Sequence, residues 1–193
     1  MDRIGRAKNL VDNPLSLPIR RGKRPITIRG PLHVQCNDNR DDRPLRCLVE
    51  EVIGWPDIEA GPLPVGSEEF ISLKISEGMA TTEPSVFIAG REFARVLFGA
   101  PTIYLTLPLS CAHWAIIRGW AEPHFSSSFG LVPPGVMVVY TPRDEHEVAV
   151  CRSLFQISYN FAIDVRRTSS DERNAHLFNS GRKRDIREAL AVA

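Results

Sequence analysis

The chain has 193 residues, of which 43% are hydrophobic and 24% charged, with a net charge of +1, a composition that suits one ordinary globular domain and excludes a fibrous or wholly disordered protein. No uninterrupted apolar run exceeds that of Val136 to Tyr140, far short of the roughly 20 residues of a membrane-spanning helix. The cation-rich first thirty residues hold no apolar stretch of about 7–15 residues, so a soluble, cytoplasmic protein with no membrane partner is expected.

The charge is unevenly placed. Residues 1–46 carry 11 Lys and Arg against 5 acids, residues 47–163 carry 6 against 13, and residues 164–193 carry 7 against 5. This divides the chain into a basic, Pro-rich N-terminal extension (1–43), an acidic α+β domain (44–163) and a basic polar tail (164–193). The extensions are either solvated against the acidic body or engage an acidic partner. They lack interleaved aromatics and any nucleic-acid module, so a nucleic-acid partner is not expected.

In chain order, Pro14, Pro18, Pro25 and Pro31 interrupt any regular pattern in the extension, where Ile26-Thr27-Ile28 has the makings of an edge strand. Pro44 opens a helix to Ile53, because Leu45, Leu48, Val49, Val52 and Ile53 fall on one stripe. Gly61 to Gly66, rich in Gly and Pro, reads as a lead-in to strands. Phe70 to Ile75, Val86 to Ile88, Glu92 to Leu97 and Thr102 to Leu107 follow with brief turns, which points to an antiparallel meander rather than βαβ units. Ser110 is placed to cap a short helix that Gly119 ends. Glu122 to Pro134 reads as a loop and Val136 to Tyr140 as a central strand. Asp144 with Glu147 resembles a capping box for a long helix whose apolar positions run from Val148 to Ala162. A last short helix over Arg184 to Val192 is expected in the tail. Together these give an α+β single domain, an antiparallel sheet of about four to six strands covered by two or three helices.

Cys36, Cys47, Cys111 and Cys151 form no Cys-x-x-Cys pair, and the last two suit buried helical positions. His33 and Cys36 have a His-x-x-Cys spacing, but two further ligands are missing, so no metal site is expected. No nucleophile elbow, phosphate loop or dinucleotide fingerprint is present, and no cofactor is expected.

The informative stretches are Gly90-Arg91-Glu92-Phe93-Ala94-Arg95, then Thr102-Ile103-Tyr104-Leu105-Thr106-Leu107, Gly119-Trp120-Ala121-Glu122-Pro123-His124 and Val139-Tyr140-Thr141-Pro142-Arg143-Asp144-Glu145, followed by the amphipathic helix. In this order and spacing they resemble the luciferase-domain family, over about residues 45–163 and most clearly from 90 to 161. That family contains the fungal luciferases, which oxidise a hydroxylated pyrone with molecular oxygen. The resemblance implies an oxygen-dependent, cofactor-free oxygenase, if the protein is an enzyme. Family members carry a His-x-His pattern after the Gly-Arg-Glu strand and a histidine in the next strand. Here the first region reads Arg91 to Phe98 without histidine, the second position is Tyr104, and only His124 remains of the set.

His124 is therefore the candidate catalytic base, since imidazole titrates near neutrality. Arg95, Tyr104, Glu122 and His124 are the candidate ligand-binding residues, with a cation and a phenol offered to a small aromatic or acidic metabolite. Glu122 either orients His124 or faces water. His113 and His146 fall on helix surfaces. The competing reading is a non-catalytic interaction module whose basic arms bind an acidic partner. Oligomeric state is not written in the sequence.

Overall fold

The computed structural model describes residues 17–30, 32–36, 41–65 and 68–163. The short helix expected over Arg184 to Val192, with the rest of the tail, lies outside the described residues. The architecture is α+β. A six-stranded antiparallel sheet is built from β3 (Ile58–Val65), β4 (Glu68–Ile75), β5 (Glu92–Leu97), β6 (Thr102–Thr106), β7 (Ala121–Pro123) and β8 (Val136–Val139), in the spatial order β3-β4-β5-β6-β8-β7. A two-stranded ribbon pairs β1 (Thr27–Ile28) with β2 (Val34–Gln35), and the helices are α1 (Arg43–Ile53), α2 (Leu109–Ile117) and α3 (Glu145–Ala162).

The alternation of side chains along each strand sends one set to each face of the sheet. On the inner face Val96, Ile103, Leu105, Met137 and Val139 meet Leu45, Leu48, Val49 and Val52 of α1 and Val150, Cys151, Leu154 and Phe155 of α3. The apolar stripe of α1 thus does what its spacing requires, although Ile53 at its end stays 40% exposed. Asp144 caps α3 by accepting from the Glu147 N–H at 2.8 Å. Glu147 completes only half of a capping box, because its carboxylate accepts from the Arg143 N–H at 3.0 Å and from the buried Arg20 guanidinium at 2.9 Å. His113 and His146 are exposed on their helices.

Four local expectations change. The Gly/Pro-rich lead-in is itself part of β3, with Pro62 and Pro64 tolerated because an edge strand needs donors on one side only. Val86 to Ile88, expected as a strand, forms none: Val86 ends a 3-10 turn, Pro84–Val86, since Glu83 accepts from the Ser85 N–H at 3.2 Å and Pro84 suits a first helical position. Pro108, not Ser110, occupies the cap position of α2, without a side-chain cap. The loop from Glu122 to Pro134 contains most of β7 and a 3-10 turn, Phe125–Phe129.

Residues 17–30 and 32–36, within the expected extension, pack on the domain: Leu17 joins the inner apolar layer, while Thr27, His33 and Gln35 contact the outer face of the sheet. Gln35 is buried and forms a two-way amide contact with Thr141, donating from Nε2 to Oγ1 at 3.0 Å and accepting the Thr141 N–H at 3.1 Å. Its own N–H donates to Thr102 Oγ1 at 3.0 Å. The Trp120 indole N–H donates to the Pro18 carbonyl at 2.5 Å, and the Arg20 N–H donates to the Arg118 carbonyl at 2.8 Å. Beside these polar and backbone anchors only Leu17, in the inner core, and Leu32 and Val34, against the outer apolar group, contribute apolar contacts, too irregularly spaced to form a period that a sequence could display.

The turn into β8 depends on Gly135. A Cβ there would lie 2.4 Å from the Leu107 carbonyl oxygen, whose own N–H donates to the Gly135 carbonyl at 2.8 Å. Gly135→Ala is expected to lower stability by about 1–3 kcal/mol through this backbone clash, read from the urea unfolding midpoint; an unchanged midpoint would show that the turn can widen freely.

Candidate functional site

The outer face of the sheet is polar and aromatic where the inner face is aliphatic. Cα pairing runs from Ser72 on β4 to Arg95 on β5, Tyr104 on β6, Val138 on β8 and Glu122 on β7. Residues directly opposite in a ladder share a face, so these form one row across five strands. His124 follows β7 two residues after Glu122 and returns to the same side, held by its N–H donating to the Val136 carbonyl at 3.1 Å.

Three of the four expected residues converge. The Tyr104 and His124 rings meet edge to face at 4.9 Å between centroids, and Arg95 lies directly opposite Tyr104 in the register. The Arg95 guanidinium sits 5.7 Å from the centroid of the Phe70 ring and is paired with Glu92 at 2.5 and 3.0 Å. Its side chain keeps 17% of its surface, more than the 3% of Tyr104 or the 6% of His124.

Glu122 belongs to a different arrangement. It neither faces water nor orients His124. Its Oε1 accepts from the Thr27 hydroxyl at 2.5 Å and from His33 Nε2 at 2.6 Å, and its Oε2 accepts from the Tyr140 hydroxyl at 3.1 Å. The exposed Arg29 guanidinium stands 3.9 Å away. Burial pushes the carboxyl group upward, but these hydrogen bonds and the neighbouring His33 together outweigh it and hold its pKa below the ordinary value. The proton arrangement of His33 follows from its partners. Nδ1 accepts the Phe125 N–H at 3.0 Å, so in the neutral ring the hydrogen is on Nε2 and points at Glu122. Burial lowers the His33 pKa in spite of the carboxylate, in keeping with a neutral imidazole donating to an anion.

His33 is the central residue that sequence reasoning missed. It is fully buried, its carbonyl accepts from the Tyr104 hydroxyl at 3.1 Å, and its ring lies 5.6 Å from that of His124. The only trace in the sequence is a lone histidine in a Pro-rich stretch, with a His-x-x-Cys spacing that is unused here because Cys36 is exposed. Among the described residues no three His, Cys, Asp or Glu side chains come together as a metal site.

His124 is also held as a neutral ring. Its Nδ1 accepts from the Ser126 N–H at 3.2 Å, capping the 3-10 turn, which leaves Nε2 to carry the hydrogen. Burial, then the neighbouring His33 and Arg95, which oppose a second positive charge, bring its pKa down to about 4. Tyr104 is pushed up to about 12 by burial, with Arg95 opposing. At neutral pH this surface therefore presents a cation, a neutral imidazole N–H and a neutral phenol.

Residues 90–158, from the end of the turn before β5 through most of α3, match the family model described as the luciferase domain. No curated protein and no solved structure shows a significant match to the chain. No helix among the described residues is long and apolar enough to cross a membrane.

Two predictions follow from the protonation pattern. His124 has a folded pKa near 4 against 6.5 when unfolded, so the unfolded chain binds the extra proton first. Its contribution is complete above pH 6.5 and is lost as the pH falls toward 4. A shift of that size is worth about 3 kcal/mol, and solvent screening near the ring reduces the expected loss to about 2 kcal/mol. His124→Asn, which keeps a cap acceptor, should flatten the stability profile between those pH values in urea titrations, and an identical profile would refute the assignment. Glu122→Ala strands the Thr27, His33 and Tyr140 donors and should cost about 2–5 kcal/mol, with Glu122→Gln markedly milder in the same measurement.

Proposed function

We propose that the protein binds a small aromatic or acidic metabolite on the outer face of the sheet, with Arg95, Tyr104 and His124 at the ligand's polar end. The observation that carries this reading is the convergence of a partly exposed guanidinium, a phenol and an imidazole from three separate elements on one face. Glu92 takes Nε and Nη2 of Arg95, and Nη1 has no hydrogen-bond partner among the described residues. His124 offers Nε2–H, and the Tyr104 oxygen, whose hydrogen goes to the His33 carbonyl, retains lone pairs to accept. Beside them the Ser72 hydroxyl is buried without a partner, opposite Arg95 in the register. Two donors near an acceptor suit a carboxylate or phenolate.

In this reading Glu122 is a positioning residue. It fixes His33, and His33 supports both Tyr104 and the Phe125 backbone. His124 serves as a donor, because a ring with a pKa near 4 is a poor base at neutrality. Oxygenation of a hydroxypyrone, the activity suggested by family likeness, would ask His124 to take a proton that its hydrogen-bonded tautomer does not favour.

The test is calorimetric titration of the purified chain with hydroxypyrones and aromatic carboxylates, together with an oxygen electrode. Binding is expected for at least one compound, with a tenfold or greater loss in Arg95→Lys, which keeps the charge opposite Glu92 but lacks the planar fork. No binding across both compound classes, or equal binding by the variant, would overturn the proposal. Oxygen uptake abolished by His124→Asn would make His124 catalytic and replace the donor role.

A further inference from the structure

Among the described residues, every arginine from Arg29 to Arg152 except Arg118 lies within 4 Å of a carboxylate, and so does Arg20. Arg21, Lys23, Arg24 and Arg118 have no such partner, and Lys74 is the only other described cation without one. Lys23, Arg24 and Arg118 line a single cleft of about 190 Å³, together with Arg20, Ile19 and Ile117. No acidic residue is in its lining. Glu147, which pairs with Arg20, is shared with Arg143, so its single negative charge is divided between two guanidinium groups.

The cleft lies between residues 19–24 and the end of α2. Its two walls are joined by the Arg20 N–H donating to the Arg118 carbonyl at 2.8 Å. The carbonyl end of α2 calls for some positive charge, and Arg24 supplies it by donating to the Ile116 carbonyl at 3.3 Å. Lys23 and Arg118 exceed that need. The Arg118 guanidinium lies 5.6 Å from the centroid of the Trp114 ring, and its Nε is buried without a partner. Ile19 and Ile117, 67% and 56% exposed, place apolar surface beside the charges, an arrangement that suits an anion with a hydrocarbon part better than a bare ion.

We propose that this cleft binds one oxyanion, a phosphate or carboxylate group, carried on an apolar chain that lies over Ile19 and Ile117, with Lys23, Arg24 and Arg118 as its cationic partners. The site is separate from the outer-face site and does not depend on it.

The experiment is calorimetric titration of the full chain with octyl phosphate and with inorganic phosphate, plus co-sedimentation with phosphatidylcholine vesicles with and without phosphatidic acid. Saturable binding of octyl phosphate is expected, tighter than inorganic phosphate and weakened by added salt. Lys23→Glu and Arg118→Gln should each lower its affinity at least tenfold while circular dichroism and melting report a folded chain, and Arg95→Lys should leave it unchanged. Binding undiminished in both cleft variants, or no saturable binding of octyl phosphate, would overturn the proposal. Attachment to phosphatidic acid vesicles alone would overturn it in favour of a charged-surface contact, whereas binding of the soluble amphiphile with or without vesicle binding supports the cleft.

Discussion

The buried carboxylate of Glu122 is the constraint on which the outer half of the molecule depends. An anion removed from water is costly unless donors surround it, and Thr27, His33 and Tyr140 supply three. Two of those donors come from residues 17–36 and one from the strand region they cover. The charge is thus fully accommodated only when the N-terminal segment is seated on the sheet, where Gln35, Arg20 and the Pro18 carbonyl hold it as well. His33 passes that order on through both of its polar ends, receiving the Phe125 N–H at its ring and the Tyr104 hydroxyl at its carbonyl.

The two faces of the sheet are consequently held by different physics. The inner face is an aliphatic layer under α1 and α3, insensitive to pH and tolerant of modest repacking. The outer face has a small apolar group, Phe70, Leu97, Tyr104 and Val138, surrounded by paired charges, two neutral imidazoles and directed hydrogen bonds. A second buried carboxylate, Glu147, repeats the device at the start of α3 by holding Arg20 from the segment and Arg143 from its own helix. Polar layers of this kind are specific in geometry and sensitive to loss of any one partner. They also leave groups available to a ligand, which is why the recognition surfaces proposed here lie on the outer face or beside the segment that covers it.

Much of the fold was legible in the amino acids. The stripe of α1, the capped start of α3, and the β-branched and aromatic runs of β5, β6 and β8 each answer to a local period or cap, and each forms where expected. β3 was hidden because Pro62 and Pro64 read as breakers, and only its edge position makes them acceptable. β7 is three residues long, too short for alternation to register. Of the candidate site, Arg95 and Tyr104 are placed on neighbouring strands by the sequence, whereas neither expectation for Glu122, orienting His124 or facing water, matches its buried contact with His33. Its partner, His33, stands 89 positions away, beyond the reach of any spacing rule.

The sequence by itself determined the helices α1 and α3, the strands β5, β6 and β8, the apolar inner layer and the likeness of residues 90–158 to the luciferase domain, because these rest on short-range periodicity and motif order. Only the tertiary structure decided that Thr27, His33 and Gln35 cover the outer face of the sheet, that Glu122 and His33 pair, and that unpartnered cations gather beside α2. Those features depend on directional contacts between distant parts of the chain, which leave no periodic mark in the sequence and exist only once the strands are in register.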